Sequence, residues 1–201
     1  MKQIILSLAC LGALQLASAQ DRVSEETAVR YAKLAGADTQ QLQGTPIPTS
    51  VDLTQPVAMQ DGEFGGMVLP QAKLTAEALA KADDKVLPIG QLWLLKLTPM
   101  SGGEKVSADK LRLATIKTPD GDELKVPQCA LGVQRSKGGA LELLVFGKDK
   151  EPLLKVALKA IDVKQSSPIE LDAERGDESA QVHLKILGKY QATFKVTQLE
   201  L

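Results

Sequence analysis

The side chain best suited to general base or metal chemistry occurs once in this sequence. It is His183, in the stretch SAQVHLKIL. On an alternating strand His183 shares the wetter face with Lys185, opposite a buried apolar face. A catalytic imidazole needs a nucleophile and an orienting partner, and a zinc site needs several clustered ligands. We therefore expect an ordinary surface histidine, and we assign no catalytic, cofactor-binding or metal-binding residue from the sequence.

Cysteine is the second reactive residue type. Cys129 alternates with Leu131 and Val133 in VPQCALGVQ, which predicts that these side chains point into the core. Cys10 lies in an N-terminal segment that we expect to be removed, so Cys129 would have no disulfide partner. Lipidation of Cys10 is disfavoured because the apolar run continues past it. A reactive thiolate needs a nearby cation or helix N-terminus, so the pattern predicts a buried, unreactive thiol.

Acidic residues form the third group, because carboxylates on loops and strand ends can hold calcium. They fall in three places: Glu170, Asp172 and Glu174 on one face of IELDAE, Asp177 and Glu178 in the next turn, and Asp120, Asp122 and Glu123 in PDGDE. EF-hand spacing is absent, and alternating acids also mark the solvent side of an edge strand. A calcium- or glycan-binding module is one alternative function. A paired-carboxylate glycosidase is disfavoured, because aromatic residues make up only 3% of the chain.

Motifs for other enzyme chemistry are absent from the sequence. The chain has no G-x-S-x-G, no H-E-x-x-H, and no phosphate-binding or dinucleotide-binding glycine motif. A hydrolase with a site assembled around His183 from distant residues is the second alternative function. The tripeptide Arg175-Gly176-Asp177 matches an integrin-binding sequence, but a charged glycine turn between two strands explains it.

Two further features invite a ligand and also have structural explanations. Trp93 alternates with Leu95 and Leu97, which predicts a core anchor in preference to a ligand platform. The stretch DGEFGGMVLP, residues 61–70, combines three glycines with apolar residues. We expect it to be a strap that holds the N-terminal part of the chain to the β domain, with a ligand loop as the alternative.

The N-terminus predicts export. Lys2 precedes a mostly apolar run over residues 4–16, and the small-residue pattern that signal peptidase recognises follows as ASA. Residues 1–19 are expected to form a signal peptide, with cleavage after Ala19 and a secreted or periplasmic product. The run is too short for a membrane anchor, which needs about 20 apolar residues, and no transmembrane segment is expected in the mature chain.

Composition sets the broad class. Apolar residues make up 44% of the chain, which is typical of a globular protein. The 24 basic and 25 acidic residues give a formal net charge of −1. This near-neutral balance argues against a nucleic-acid partner, which requires a basic surface.

The predicted secondary-structure elements that position these residues fall into two parts, which meet at residue 85. Residues 20–85 form a predicted N-terminal arm: a helix from Ser24 to Gly36, an extended or linker segment rich in Gln, Thr, Pro and Gly, and a short helix capped by Thr75. The first helix carries a thin apolar stripe and needs a partner surface to avoid fraying. Residues 86–201 alternate with period two between tight turns, which predicts eight or nine antiparallel strands.

The sequence therefore predicts a mainly β protein, an antiparallel β-sandwich preceded by a helix, an extended arm and a second short helix. We expect an exported, non-enzymatic protein that acts in binding or as a cell-envelope component. A protein partner in the envelope is expected, and the sequence leaves the oligomeric state open.

Overall fold

The fold comes from a computed structural model that describes residues 21–39, 46–118 and 121–200. The predicted signal peptide and Asp120 lie outside these described residues. Strands make up 51% of the structure and helices 12%, so the prediction of a mainly β protein with two helices is confirmed.

The order of elements along the chain shows fourteen strands in the described residues. They are β1 (Asp21–Arg22), α1 (Glu25–Thr39), β2 (Val57–Asp61), β3 (Phe64–Pro70), α2 (Ala76–Ala80), β4 (Leu87–Leu95), β5 (Leu97–Ser101), β6 (Glu104–Lys105), β7 (Leu113–Lys117), β8 (Glu123–Arg135), β9 (Leu141–Phe146), β10 (Pro152–Ala157), β11 (Lys159–Ala160), β12 (Ile169–Arg175), β13 (Ala180–Ile186) and β14 (Tyr190–Gln198).

Two antiparallel sheets form the sandwich. The first has eight strands in the order β1-β2-β3-β4-β8-β9-β10, with β7 paired to β8. The second has six strands in the order β12-β13-β14-β5-β6, with β11 paired to β14. Apolar side chains of both sheets meet in one buried cluster, which includes Leu92, Leu131, Leu171, Leu184 and Val196. The predicted sandwich is confirmed, and it has more strands than the eight or nine expected.

A β-hairpin replaces part of the extended arm that the sequence predicts. β2 and β3 pair with each other, and β3 pairs with β4, so both strands extend the first sheet. The turn between them uses Gly62 at φ 58, a left-handed conformation without steric cost for glycine. Val57 and Val68 join the core between the sheets, whereas Ala58 and Met67 join a cluster on the outer face. The boundary at residue 85 stays a prediction about domains, and the first sheet contains strands from both sides of it.

The first helix is longer than predicted. It begins after Ser24, whose Oγ accepts a hydrogen bond from Thr27 N at 3.3 Å. It then runs through Gly36 to Thr39 instead of ending at the glycine. Gly36 has a packing role, because a Cβ at that position would lie 2.6 Å from Leu53 Cδ1. A close approach therefore explains the glycine that resembled a helix terminator.

The second short helix matches the prediction. Thr75 caps α2, and its Oγ1 accepts a hydrogen bond from Ala78 N at 3.2 Å. Leu79 is the buried residue of this helix and packs into the core between the sheets.

The apolar segment QLWLLKLT, residues 91–98, is divided between the two sheets. Lys96 has φ 54, and the chain passes there from β4 in the first sheet to β5 in the second. The Lys96 carbonyl oxygen accepts a hydrogen bond from Leu199 N at 2.9 Å, and its ammonium pairs with Glu63. These contacts offset the cost of a left-handed conformation at a residue with a side chain.

Candidate functional site

α1 lies on the outer face of the first sheet and packs through a stripe of small side chains. Ala28, Ala32 and Ala35 are buried against a cluster that includes Met67 and Trp93 of the sheet. This docking confirms that the thin apolar stripe of the helix has a partner surface. Because alanine side chains are small, the helix can lie close to the sheet. A groove lies beside the helix.

The groove has a volume of about 390 Å³ and lies between α1 and strands β2, β3, β4, β7 and β8. Its floor is buried and apolar, and consists of Ala58, Met67, Trp93 and Val126. Gly65 also lines the groove. The size and apolar character are those of a pocket for a small ligand.

Two large apolar side chains stand exposed at the mouth of the groove. Tyr31 on the helix side is 38% exposed, and Leu124 on the sheet side is 37% exposed. Within the described residues one other large apolar side chain, Val163, is comparably exposed, and it does not line the groove. These two side chains and the apolar floor make the groove the candidate site.

A buried polar network fixes Trp93 in the floor. Trp93 Nε1 and Gln128 Nε2 both donate to Gln91 Oε1, at 3.2 and 3.0 Å. Gln91 Nε2 in turn donates to Thr49 Oγ1 at 2.7 Å. Gln91, Trp93 and Gln128 are at most 4% exposed. The sequence prediction of a core anchor at Trp93 is confirmed, and the structure also places this residue in the groove.

A second cavity of about 280 Å³ lies near the start of α1, and its lining is more polar. Arg22, Glu25, Gln55, Ser166 and Ser167 contribute to it. Ser167 Oγ donates to the Gln55 carbonyl oxygen at 3.0 Å, so its side chain already has a structural role. The groove beside α1 is therefore the stronger candidate site.

The lone histidine lies on the outer face of the second sheet. Val182, Leu184 and Ile186 are buried, so the alternation predicted for this strand is confirmed. His183 Nδ1 lies 2.9 Å from Thr193 Oγ1, and His183 Nε2 lies 3.5 Å from Glu174 Oε1.

A hydroxyl and a carboxylate therefore approach the two ring nitrogens of His183, which is the connectivity of a catalytic triad. The Glu174 side chain is 77% exposed, however, and His183 lines none of the cavities described above. The contact with Glu174 exceeds hydrogen-bonding geometry, and His183 Nε2 is buried without a hydrogen-bond partner in the described structure. These groups form a cross-strand cluster on the sheet face. The His183 side chain is only 14% exposed there, so it is more buried than the surface histidine that the sequence predicts.

Cys129 is fully buried, as the sequence predicts. Burial raises the pKa of its thiol to about 12, because the thiolate would lose its hydration in the apolar core. Cys129 pairs with Leu92 across β4 and β8 and belongs to the core between the sheets. The thiol therefore fills space in the core.

The acidic residues proposed for calcium are dispersed among other partners. Asp172 pairs with Lys185 at 2.5 Å, and Glu170 accepts a hydrogen bond from Ser166 N at 2.8 Å. Glu123 lies 3.8 Å from Lys117 Nζ. Within residues 21–39, 46–118 and 121–200, no three acidic, histidine or cysteine side chains form a group suited to a metal ion.

The tripeptide at residues 175–177 has a structural role. Arg175 Nη1 donates to Asp61 Oδ2 at 2.9 Å, which links the second sheet to the β2–β3 hairpin. Gly176 N donates to the Ser179 carbonyl oxygen at 2.8 Å within the turn. Residues 61–70, expected as a strap, form the turn and the second strand of this hairpin, and Asp61 makes an ion pair with β12.

The chain matches no family model, no curated protein and no solved structure in the comparisons made. Among the described residues, no helix has the length and apolar character needed to cross a membrane.

Sequence reasoning did not identify the groove. Its mouth combines Tyr31 with Leu124, and its floor combines Met67 with Val126, so its walls come from distant parts of the chain. The sequence does signal the thin alanine stripe of α1, which predicts that the helix lies close to another surface. It does not show which apolar residues of that surface remain exposed.

Proposed function

We propose that this chain is an exported, non-enzymatic binding protein whose site is the groove beside α1. The ligand class is a small, elongated apolar molecule. The observation that carries the proposal is the position of Tyr31 and Leu124, two exposed apolar side chains on opposite sides of a buried apolar floor. Covering them removes apolar surface from water, which is favourable at about 25 cal/mol per Å².

The shape of the site supports a small molecule as the ligand. A volume of about 390 Å³ is at the lower end of ligand pockets, which span roughly 300–1,000 Å³. The floor is held by the first sheet and by the hydrogen bonds around Trp93, so much of the site exists before a ligand binds. A preformed site lowers the entropic cost of binding.

Export and a non-enzymatic role are part of the same proposal. The lysine, apolar run and ASA pattern of residues 1–19 support secretion or a periplasmic location. His183 lines none of the described cavities, and its carboxylate neighbour Glu174 is 77% exposed, which supports binding over catalysis. In the envelope the protein would hold its apolar ligand for a protein partner.

Trp93 provides a direct test, because it is the only tryptophan in the chain and it lines the groove. Octanol serves as the neutral apolar probe, and tryptophan emission is recorded during the titration. We expect a saturable change in emission. Replacing both mouth residues, as Tyr31→Gln with Leu124→Gln, should weaken octanol binding by about tenfold or more, since contacts worth roughly 1 kcal/mol each are lost.

Val163→Gln is the matched control, because Val163 is 45% exposed and lies outside the groove. It should leave octanol affinity unchanged. An emission change that does not saturate, or equal weakening by the control and the double variant, would show that the groove is not the site.

A further inference from the structure

We infer that the ligand of the groove is an amphipathic anion, with an apolar chain on the floor and a carboxylate or phosphate group at Arg30. This inference rests on the proposed function, because it names the chemical class of ligand for the same site. It depends on three observations about charge and position at the mouth.

The first observation is the composition of the groove wall. Arg30 is the single charged residue among the described residues that line the groove. No carboxylate accompanies it there, so the wall carries one positive charge beside an apolar floor. A ligand with a cationic head group would meet a like charge, whereas an anionic one would be attracted.

The second observation is that Arg30 has no competing partner in the described part of the chain. The ion pairs among residues 21–39, 46–118 and 121–200 involve other cations. Arg30 is exposed, and its guanidinium carbon lies 5.8 Å from the centre of the Tyr31 ring. The ring holds the cation beside the mouth, and the guanidinium N–H groups can donate to a bound anion.

The third observation is that the side chains of Gln60 and Thr118, which also line the groove, already make hydrogen bonds. Gln60 Nε2 donates to the Gly62 carbonyl oxygen at 3.0 Å. Thr118 Oγ1 accepts a hydrogen bond from Asp122 N at 3.1 Å. The charge of a head group is therefore met by Arg30, with the Tyr31 hydroxyl as a further donor, and the arrangement selects a chain with an anion at one end.

The test compares four octyl probes that share one chain and differ in the head group. They are octanoate, octyl phosphate, neutral octanol and cationic octyltrimethylammonium, each titrated below its micelle concentration with Trp93 emission as the readout. Both anions should bind about fivefold more tightly than octanol, which is the upper range for an exposed ion pair. The cation should bind more weakly than octanol. The ratio between the two anions shows whether the site prefers a carboxylate or a phosphate.

Arg30→Gln tests the residue directly. It should remove the preference for anions, so that octanoate and octanol bind to the variant with equal affinity. Lys33→Gln is the matched control, because Lys33 is an exposed cation on the same helix that does not line the groove. It should preserve the preference for anions.

Extending the chain separates groove binding from nonspecific adsorption. Each methylene added up to the length of the groove should tighten binding by about fourfold, and longer chains should bring no further gain. Equal affinity for octanoate and octanol in the wild-type protein, or an anion preference that survives Arg30→Gln, would overturn the assignment of the anion site while leaving the apolar groove in place. Absence of saturable binding by all four probes would overturn the proposed function as well.

Discussion

Gln91 is the centre of the buried polar network beneath the groove, and its replacement by leucine should be costly. The substitution leaves Trp93 Nε1 and Gln128 Nε2 without their shared acceptor, in a region where both residues are at most 2% exposed. Each buried donor left without an acceptor costs about 1–3 kcal/mol. The apolar leucine side chain returns roughly 1–2 kcal/mol. We expect Gln91→Leu to lower the free energy of unfolding by about 3 kcal/mol.

Gln128→Leu is the matched comparison, because it makes the same substitution at an equally buried neighbour. Gln128 Oε1 has no hydrogen-bond partner in the described structure, so this variant removes a poorly satisfied group and leaves Gln91 bonded to Trp93. Its free energy of unfolding should stay within about 1 kcal/mol of the wild-type value. Urea unfolding followed by Trp93 emission measures both variants. Equal destabilisation by the two substitutions would refute the central role of Gln91.

Three further predictions concern the core, a strained glycine and an acidic turn. Burial raises the pKa of the Cys129 thiol to about 12. At mildly alkaline pH the thiol should therefore react with a disulfide reagent only as fast as the protein unfolds. Rapid reaction in the absence of urea would contradict this prediction. Gly90→Ala should lower the free energy of unfolding by more than about 2 kcal/mol in thermal unfolding, because a Cβ there would lie 2.3 Å from a backbone oxygen. Gly102 has open space around it, so Gly102→Ala should lower the free energy of unfolding by about 1 kcal/mol. Hydrogen bonds from Thr54 lower the pKa of Asp52 below 3.8. The stability advantage of wild type over Asp52→Asn should therefore be fully present above pH 3.8 and disappear as the pH falls through the lower folded-state pKa. An advantage that grows on acidification would contradict the shift.

The sandwich could be predicted because its strands alternate strongly between buried and exposed positions. β13 and β14 keep this alternation over seven and nine residues, and the turns between strands are rich in glycine. Strand ends were harder to predict. Lys96 divides one continuous apolar pattern between two sheets, and β8 continues through Pro127, a residue that cannot donate a backbone hydrogen bond to a neighbouring strand. In both cases backbone conformation decides the outcome, and the hydrophobic pattern does not report it.

The groove could not be predicted, for a different physical reason. A binding surface depends on which apolar residues remain uncovered after packing, and alternation gives the same signal for covered and uncovered ones. Leu124 is 37% exposed, whereas Val126, two residues later on the same strand, is 5% exposed. The hairpin of β2 and β3 was missed because its alternating segments are short and lie in a proline-rich composition.

The hairpin formed by β2 and β3 contributes side chains both to the groove and to the core between the sheets. Met67 contributes to the groove floor, and Val68, the next residue, packs into the interior between the two sheets. Side chains on the two sides of this strand therefore depend on one backbone. A ligand that contacts Met67 restrains the backbone motion of β3, and this restraint also applies to the core residues of the same strand. Ligand binding in the groove should accordingly slow amide hydrogen exchange in the central strands of the first sheet as well as in α1.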